Sequence, residues 1–329
     1  HTLGYGTENI ELEIMTGINT RFFSWDDMIY GWEQEKLLTY PSLPQLFSDA
    51  GYYTAYLHTF NDGIYNRTAL YTALGFQDMY FSGDFAAIDP EAAAAPDYWG
   101  YMYGKIAGEF YSDDYLADVT AELFDQKAGE GPVFLWAVTM ENHTPYTADK
   151  FSSYDFPFES DLGDEAVGVL NAVTQGVADC SEALGKLVDH LAAQDEPVIV
   201  VFFGDHRPGT PLESGATVYS ELGMCPANVA DWELEDYAEL YSTDYVIWSN
   251  DPSLLPAEPG SRMNTSSTLL GVEALQMAGM DLDEYWSMCA VVDTVSDGWT
   301  WNFFVPQDGE PCFSPFAGLD EEGLDIIQA

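Results

Sequence analysis

The sequence predicts an α/β fold, a mostly parallel central sheet flanked by helices, with a small β-containing subdomain at the C-terminal end. Three observations lead there. Short apolar runs of strand length recur at "YYTAYLHTF" (52–60), "PVFLWAVTM" (132–140), "PVIVVFFGD" (197–205) and "DYVIWSN" (244–250). Helical periodicities lie between them, the pattern of strand–helix–strand units. Three of the runs end in polar, chemistry-bearing residues, and in open parallel sheets ligands bind outside the carboxyl ends of the strands.

Taken in order, "SLPQLFSDAG" (42–51) reads as a short helix leading into the first strand. Residues 84–101, "DFAAIDPEAAAAPDYWGY", are rich in Ala and Pro and read as an inserted surface loop. Val169, Val173, Cys180, Leu184, Leu187 and Leu191 form an apolar stripe at helical spacing. Residues 207–243 are long and irregular, and "SSTLLGVEALQMAG" (266–279) is a helix ending on glycine, a common stop. After 282 the pattern changes to strand-like pieces around "CAVVDTV" and "WTWNFFVP". The expected organisation is a catalytic domain over 1–282 and a subdomain or edge strands over 283–329.

Composition narrows the function. The 329 residues are 47% hydrophobic and 15% aromatic, enough for a large core and against disorder. Fifty-six acids face 9 Lys plus Arg, a net charge of -47. So acidic a chain excludes nucleic acid as a partner and simple adhesion to an anionic membrane. A site for an anionic substrate then needs local positive charge from a metal, an arginine or a helix N-terminus. The cysteines at 180, 225, 289 and 312 form no CxxC pair, which argues against a zinc ribbon. No apolar run reaches the roughly 20 residues that span a bilayer. The first residue is histidine, and the chain reads as a fragment or processed ectodomain.

His58, His143 and His206 all sit at carboxyl ends of predicted strands. Any one alone is more often structural, but three together point to a site. Asp205-His206 offers a hard oxygen and an imidazole nitrogen, a mixture that zinc, manganese and iron accept; an Asp capping a neighbouring His is the alternative. In "HTLGYGTENIELEIMTG" (1–17), Thr7 opens a helical pattern after a Gly-containing loop. It is either an N-cap or a nucleophile placed where backbone N–H groups bind tetrahedral oxyanions. Arg67 is either an oxyanion-gripping fork or a surface salt bridge.

Together "GTENIELEIMTG" (6–17), "GYYTAYLH…YNRTALYTALGFQDMYF" (51–81), "VTMENHTPY" (138–146) and "FFGDH" (202–206) resemble the lipoteichoic acid synthase-like phosphoglycerol transferases of the sulfatase and alkaline phosphatase superfamily. The motifs fall in that family's order over residues 1 to about 280. The resemblance implies Thr7 as nucleophile and metal ligand, Asp205 and His206 as further metal ligands, and His58, Tyr65, Arg67 and His143 as groups that hold the phosphoglycerol moiety. It also implies a further acidic metal ligand on a strand upstream of the threonine, before His1, with membrane helices preceding it.

The expected reaction is double displacement. With one divalent metal bound, manganese first and magnesium or zinc as alternatives, Thr7 attacks a phosphatidylglycerol-like lipid. His143 stabilises or protonates the leaving oxygen, and a glycerol or sugar hydroxyl then takes the group. The aromatic segment "RFFSWDDMIYGW" (21–32) is a candidate lipid-facing element or core. Partners would be an anionic phospholipid head group and a glycerol-phosphate or glycan acceptor, at the extracellular face of a bacterial, Gram-positive, membrane. The rival readings are a hydrolase of the same superfamily and a non-catalytic binder of anionic wall polymers. "CPAN" (225–228) and "CFSPF" (312–316) do not fit the C/S-x-P-x-R setting of a sulfatase nucleophile.

Overall fold

The structure is a computed structural model that describes residues 6–20, 41–258, 260–261, 263–300, 302–314 and 318–328. The aromatic segment 21–32 lies outside the described residues. In chain order the principal elements are α1 (Thr7–Thr16), β1 (Tyr53–His58), α2 (Arg67–Ala73), β2 (Asp78–Tyr80), α3 (Asp113–Ala128), β3 (Val133–Val138), α4 (Asp164–Leu191), β4 (Ile199–Phe203), β5 (Tyr245–Ser249), α5 (Ser267–Met277), α6 (Glu284–Asp293), β6 (Ser296–Trp299) and β7 (Phe304–Pro306). The chain divides into two compact units, each built from separate stretches. The first comprises His1–Leu46, Gln194–Arg207 and Val229–Ala329, and the second Phe47–Ala193 and Pro208–Asn228.

In the second unit β1 is the middle strand of a parallel sheet ordered β2-β1-β3. Tyr53 pairs with Val133, and the register runs to His58 opposite Val138. Successive side chains of a strand point to opposite faces, and both faces of β1 are covered. Ala55 and Leu57 pack against Phe85, Ile88 and Met102 and the α3 residues Leu116 and Val119. Tyr56 faces the other way and stacks on Tyr71 of α2, with ring centroids 4.0 Å apart. This double burial explains why the strand reads as an unbroken apolar run. It also places His58, two residues on, on the Tyr56 face. Along the 28-residue α4, Val169 and Leu191 of the predicted stripe are buried and Val173, Cys180, Leu184 and Leu187 half-buried.

Residues 84–101 are not the surface loop their composition suggests. They hold short helical turns at Phe85–Ala87, Pro90–Ala94 and Tyr98–Tyr103, with Phe85, Ile88 and Ala92 in the core. Asp89 organises them. Its Oδ1 accepts the Glu91 and Ala92 N–H groups, and its Oδ2 accepts the hydroxyls of Tyr101 at 2.9 Å and Tyr115 at 3.0 Å. The alanines serve close packing here, which composition alone does not distinguish from a linker.

In the first unit α1 packs on α5 with no side chain between them at Gly271, where an added Cβ would stand 2.1 Å from the Ile14 carbonyl oxygen. Glu13 of α1 is fully buried and ties the same helices together. Its Oε1 accepts the Thr20 N–H at 2.8 Å and hydroxyl at 2.6 Å, and its Oε2 accepts the Ser267 hydroxyl of α5. Strand β4 pairs with β5, and this pair is antiparallel, Ile199 opposite Ser249 and Phe203 opposite Tyr245. The cause lies where β4 ends: Gly204 N–H donates to the Asp244 carbonyl and Thr243 Oγ1 to the Gly204 carbonyl, so the chain re-enters beside the end it left. "DYVIWSN" is thus a strand, but one returning against β4.

The C-terminal stretch departs from expectation in one place. "CAVVDTV" falls largely in α6, not in a strand. Asp283 caps that helix through the Trp286 N–H at 2.8 Å, and Trp286 and Cys289, three residues apart, form its buried stripe. A capped helix with buried anchors outweighs the strand preference of its two valines. "WTWNFFVP" contributes to the hairpin of β6 and β7. Residues 283–329 lie in the same unit as α1.

Candidate active site

Thr7 is the first residue of α1, and the position before it belongs to Gly6, the N-cap, at φ 83°. The Thr7 side chain therefore does not cap its own helix. Its hydroxyl instead donates to Asp205 Oδ2 at 2.5 Å, across 198 positions of sequence. The left-handed turn at Gly6, open to glycine at little cost, is what brings the chain into the helix with the hydroxyl turned this way. Asp205 and His206 follow β4 directly. His206 Nε2 is 3.3 Å from the same Asp205 Oδ2, and the His206 N–H donates to Asp205 Oδ1 at 2.8 Å. Three donors from two remote segments thus converge on one point within the first unit.

These residues fit a divalent cation. Donors that share a metal at about 2.0–2.2 Å lie about 3 Å from one another, close to the separations seen here. His206 Nδ1 is 2.9 Å from the Arg207 carbonyl oxygen. A proton on Nδ1 satisfies that carbonyl and leaves the Nε2 lone pair facing Asp205, the usual outer-shell arrangement for a ligating histidine. Among the described residues no group of three or more His, Cys, Asp or Glu is arranged to hold a metal; here the Thr7 hydroxyl stands third beside Asp205 and His206.

The second unit gathers His58, Tyr65 and Arg67. His58 is buried at the end of β1, its Nδ1 3.2 Å from the carbonyl of Val138, its register partner. Burial first, then the Arg67 guanidinium, lowers the His58 pKa to about 3, so the ring is neutral. Arg67 opens α2, 3% exposed, its Nε donating to the Tyr56 hydroxyl at 3.1 Å. Its guanidinium lies 4.8 Å from the centroid of the Tyr65 ring. Tyr65 and Asn66 both take left-handed backbone, φ 66° and 49°. Such conformations cost about 1–3 kcal/mol each in a non-glycine residue and cluster at functional sites. Here they turn the chain so that Tyr65 comes back over Arg67.

His143 is exposed and joins this group through aromatic rings: His58 meets Phe60 at 6.4 Å, Phe60 meets Phe110 at 5.9 Å, and Phe110 meets His143 at 5.7 Å. The carbonyl of His143 accepts from Lys150 Nζ. Lys150 is 6% exposed, and its ammonium lies over the rings of Phe110, Tyr146 and Phe151. Sequence reasoning gave Lys150 and Tyr56 no role. A lysine four residues past "HTPY" in so acidic a chain was the available signal; the Tyr56 hydroxyl gave none, because it reads as core. Asn9 was also passed over. It is 1% exposed, two residues beyond Thr7, and its carboxamide has no hydrogen-bond partner among the described residues.

The fold is that of the sulfatase and alkaline phosphatase class, a parallel sheet flanked by helices with small antiparallel pairs beside it. The chain belongs to the sulfatase family, whose family model, Sulfatase, matches residues 1–272. A Rhizobium meliloti (strain 1021) protein provisionally named for cyclic beta-1,2-glucan modification is 29% identical over 282 residues, 85% of this chain and 39% of that protein. The chain thus spans about two fifths of that relative's length. Among solved structures, the Streptococcus pyogenes phosphoglycerol transferase GacH in complex with sn-glycerol-1-phosphate matches with a TM-score of 0.67 at 19% identity, over 99% of this chain and 71% of that one. The lipoteichoic acid synthase LtaP from Listeria monocytogenes matches with a TM-score of 0.60 at 16% identity, over 100% of this chain and 78% of that one. At these identities the structural likeness establishes the fold.

Proposed function

We propose that this chain is the catalytic portion of a metal-dependent transferase. It moves a phosphoglycerol group from a phosphatidylglycerol-like lipid, through a phospho-threonine at Thr7, to a glycerol or sugar hydroxyl. The observation that carries the proposal is the Thr7 hydroxyl, turned away from capping its helix and hydrogen-bonded to Asp205 at 2.5 Å. A divalent cation held by Asp205, His206 and Thr7, with manganese the first choice and magnesium or zinc as alternatives, would lower the hydroxyl pKa and offset charge on the phosphoryl oxygens.

The chain's own groups do the rest. Asp205 accepts the Thr7 hydrogen and orients the oxygen lone pair. The Thr7 Oγ1–P bond forms as the bond from phosphorus to the diacylglycerol oxygen breaks, and that oxygen takes a proton from His143. Neutral His58 and the Arg67 fork, held by Tyr56 and Tyr65, bind the phosphoglycerol. In the second half an acceptor hydroxyl attacks the same phosphorus and gives its proton to His143 as the Thr7 Oγ1–P bond breaks, and Asp205 returns the hydrogen to Thr7. The Rhizobium relative, with its link to a glucan, favours a sugar hydroxyl as acceptor. The setting is the outer side of a bacterial membrane, with anchoring by segments of a longer protein. In this chain no helix among the described residues is long and apolar enough to cross a bilayer.

The test is to incubate the protein with phosphatidylglycerol and manganese and digest it for mass spectrometry. A glycerophosphoryl group (glycerol plus phosphate) on Thr7, discharged on adding a β-glucan oligosaccharide, supports the reading. Release of free glycerol phosphate at the same rate with or without an alcohol acceptor would make the protein a hydrolase. Turnover retained by Thr7→Ala would remove the nucleophile assignment.

A further inference from the structure

His143 is exposed on a stretch, residues 141–150, that contains no helix or strand. A proton-transferring group on such a stretch is effective only if its ring is held in one orientation. Three contacts hold this residue. Its N–H donates to the Met140 carbonyl at 3.0 Å, its Nδ1 lies 2.8 Å from the Thr144 carbonyl oxygen, and its own carbonyl accepts from Lys150 Nζ. A carbonyl only accepts, so Nδ1 carries the proton and Nε2 is the atom left for chemistry. The Tyr146 hydroxyl closes the turn on the Asn142 carbonyl at 2.6 Å.

Lys150 is an unusual partner for a carbonyl in this chain. Fifty-six acids surround 9 Lys plus Arg, yet among the described residues Lys150 forms no ion pair with any of them. Glu109 and Glu141 attract it only from beyond contact. The residue is 6% exposed, and its Nζ lies 5.6, 5.1 and 5.7 Å from the ring centroids of Phe110, Tyr146 and Phe151. Its Nζ also reaches the Pro145 carbonyl at 3.5 Å. Phe110 touches both partners, since its ring meets that of His143 edge-on at 5.7 Å. Gly108 makes room for this: at φ 62°, a Cβ there would stand 3.0 Å from the Lys150 carbonyl oxygen and 3.3 Å from its Cγ. The 106–111 hairpin therefore closes directly on the lysine stem.

We propose that Lys150 is a positioning residue for transfer: its caged ammonium fixes the His143 carbonyl and so holds the imidazole with Nδ1 on Thr144 and Nε2 free. The proposal rests on the reading of His143 as the acid and base of the reaction. Three rings and two carbonyls enclose the ammonium, so it acts through His143 and not on the substrate. Filling the cage alone needs no charge, because a methionine would pack against the same rings.

The test pairs steady-state transfer from phosphatidylglycerol to a β-glucan oligosaccharide, with manganese, with nitrogen NMR of the histidine rings at pH 8 without metal, both on the 329-residue chain. Lys150→Met keeps the apolar stem and loses the donors. It should lower kcat about 10- to 100-fold with KM unchanged, and cost nothing further from the residual rate of His143→Ala. Lys150→Arg, which keeps donors and charge, should recover most of the loss. The His143 ring signal, identified by its disappearance in His143→Ala, should report the Nδ1-protonated form in the wild type and a mixture of tautomers in Lys150→Met. An equal fall in rate in both backgrounds, or an unchanged ring signal, overturns the proposal. Should Lys150→Met fail to fold, Lys150→Gln replaces it, and failure of both to fold makes the lysine a stability residue and overturns the proposal too. A wild-type chain without transfer activity removes the function proposed above, while the ring signal still decides the place of Lys150.

Discussion

The Thr7 hydroxyl and the Asp205 carboxylate, 198 positions apart in sequence, meet at 2.5 Å, and His206 Nε2 lies 3.3 Å from the same carboxylate oxygen. Because the side chain of Thr7 does not cap α1, its chemical and structural effects separate. Thr7→Ala should reduce phosphoglycerol transfer by about 10⁴-fold or more, as loss of a nucleophile does. Its urea midpoint should shift only by the equivalent of about 1 kcal/mol or less. Transfer rates beside an equilibrium urea melt check both halves.

The same cluster makes a prediction about metal. His206→Ala removes the imidazole donor and should weaken manganese binding about 10- to 100-fold, read by the loss of free manganese signal in electron paramagnetic resonance. Chelation of the wild-type chain should abolish transfer, and added manganese should restore it.

A buried acidic cluster in the second unit contributes to the pH dependence of stability, alongside the raised carboxyls Glu13, Glu273 and Asp293 of the first unit. The Asp113 N–H donates to Glu141 Oε2 at 2.7 Å. Burial pushes the Asp113 carboxyl up to about 6. Burial also raises Glu141, against the opposing effect of the Asp113 N–H bond. Both groups titrate near 4 when unfolded, so the folded state holds more protons above that pH. Their contribution is full below about 4 and is lost as pH rises through the folded values. His58 runs the other way: its folded pKa of about 3 lies below the unfolded value, and its contribution is lost as pH falls below about 6.5. Urea melts from pH 5 to 8 should therefore show a fall in stability that Asp113→Asn with Glu141→Gln makes shallower. An unchanged slope in the double variant would contradict this assignment.

Gly176 of α4 admits the side chain of Asn142. A Cβ at 176 would stand 2.3 Å from Asn142 Oδ1 and 2.4 Å from its Cγ. Gly176→Ala should destabilise by about 1–3 kcal/mol and displace the turn carrying His143. Transfer should then fall more than the loss of folded protein accounts for, and Gly185→Ala, where nothing lies within 4 Å, serves as the control. Rates normalised to folded protein by circular dichroism provide the check.

Legibility in the sequence was uneven for physical reasons. Strands β1, β3 and β4 show as apolar runs because burial requires hydrophobic side chains, and the polar residues at their ends show because a core has no use for them. The direction of β5 was hidden, since an apolar run does not encode its partner. It is set by the Gly204, Thr243 and Asp244 contacts at the loop ends. Residues 84–101 misled because alanine next to proline suits a linker as well as a close-packed turn; Asp89, with two tyrosine hydroxyls on one carboxylate oxygen, decides between them. In the candidate site, Asp205-His206 stands out in the sequence as a rare adjacent pair. The Thr7 orientation depended on the backbone of Gly6, and the support of His143 by Lys150 on a tertiary contact that no spacing announces.

The bare glycine at 271, with the Ile14 carbonyl against its Cα, has a consequence for how this protein can be altered. Backbone rests on backbone there, so the first helix has no cushion of side-chain atoms with which to absorb a shift. In a saturation library at 271, glycine alone should survive selection for transfer. Even alanine would lever the helix away from its neighbour and carry the Thr7 hydroxyl with it.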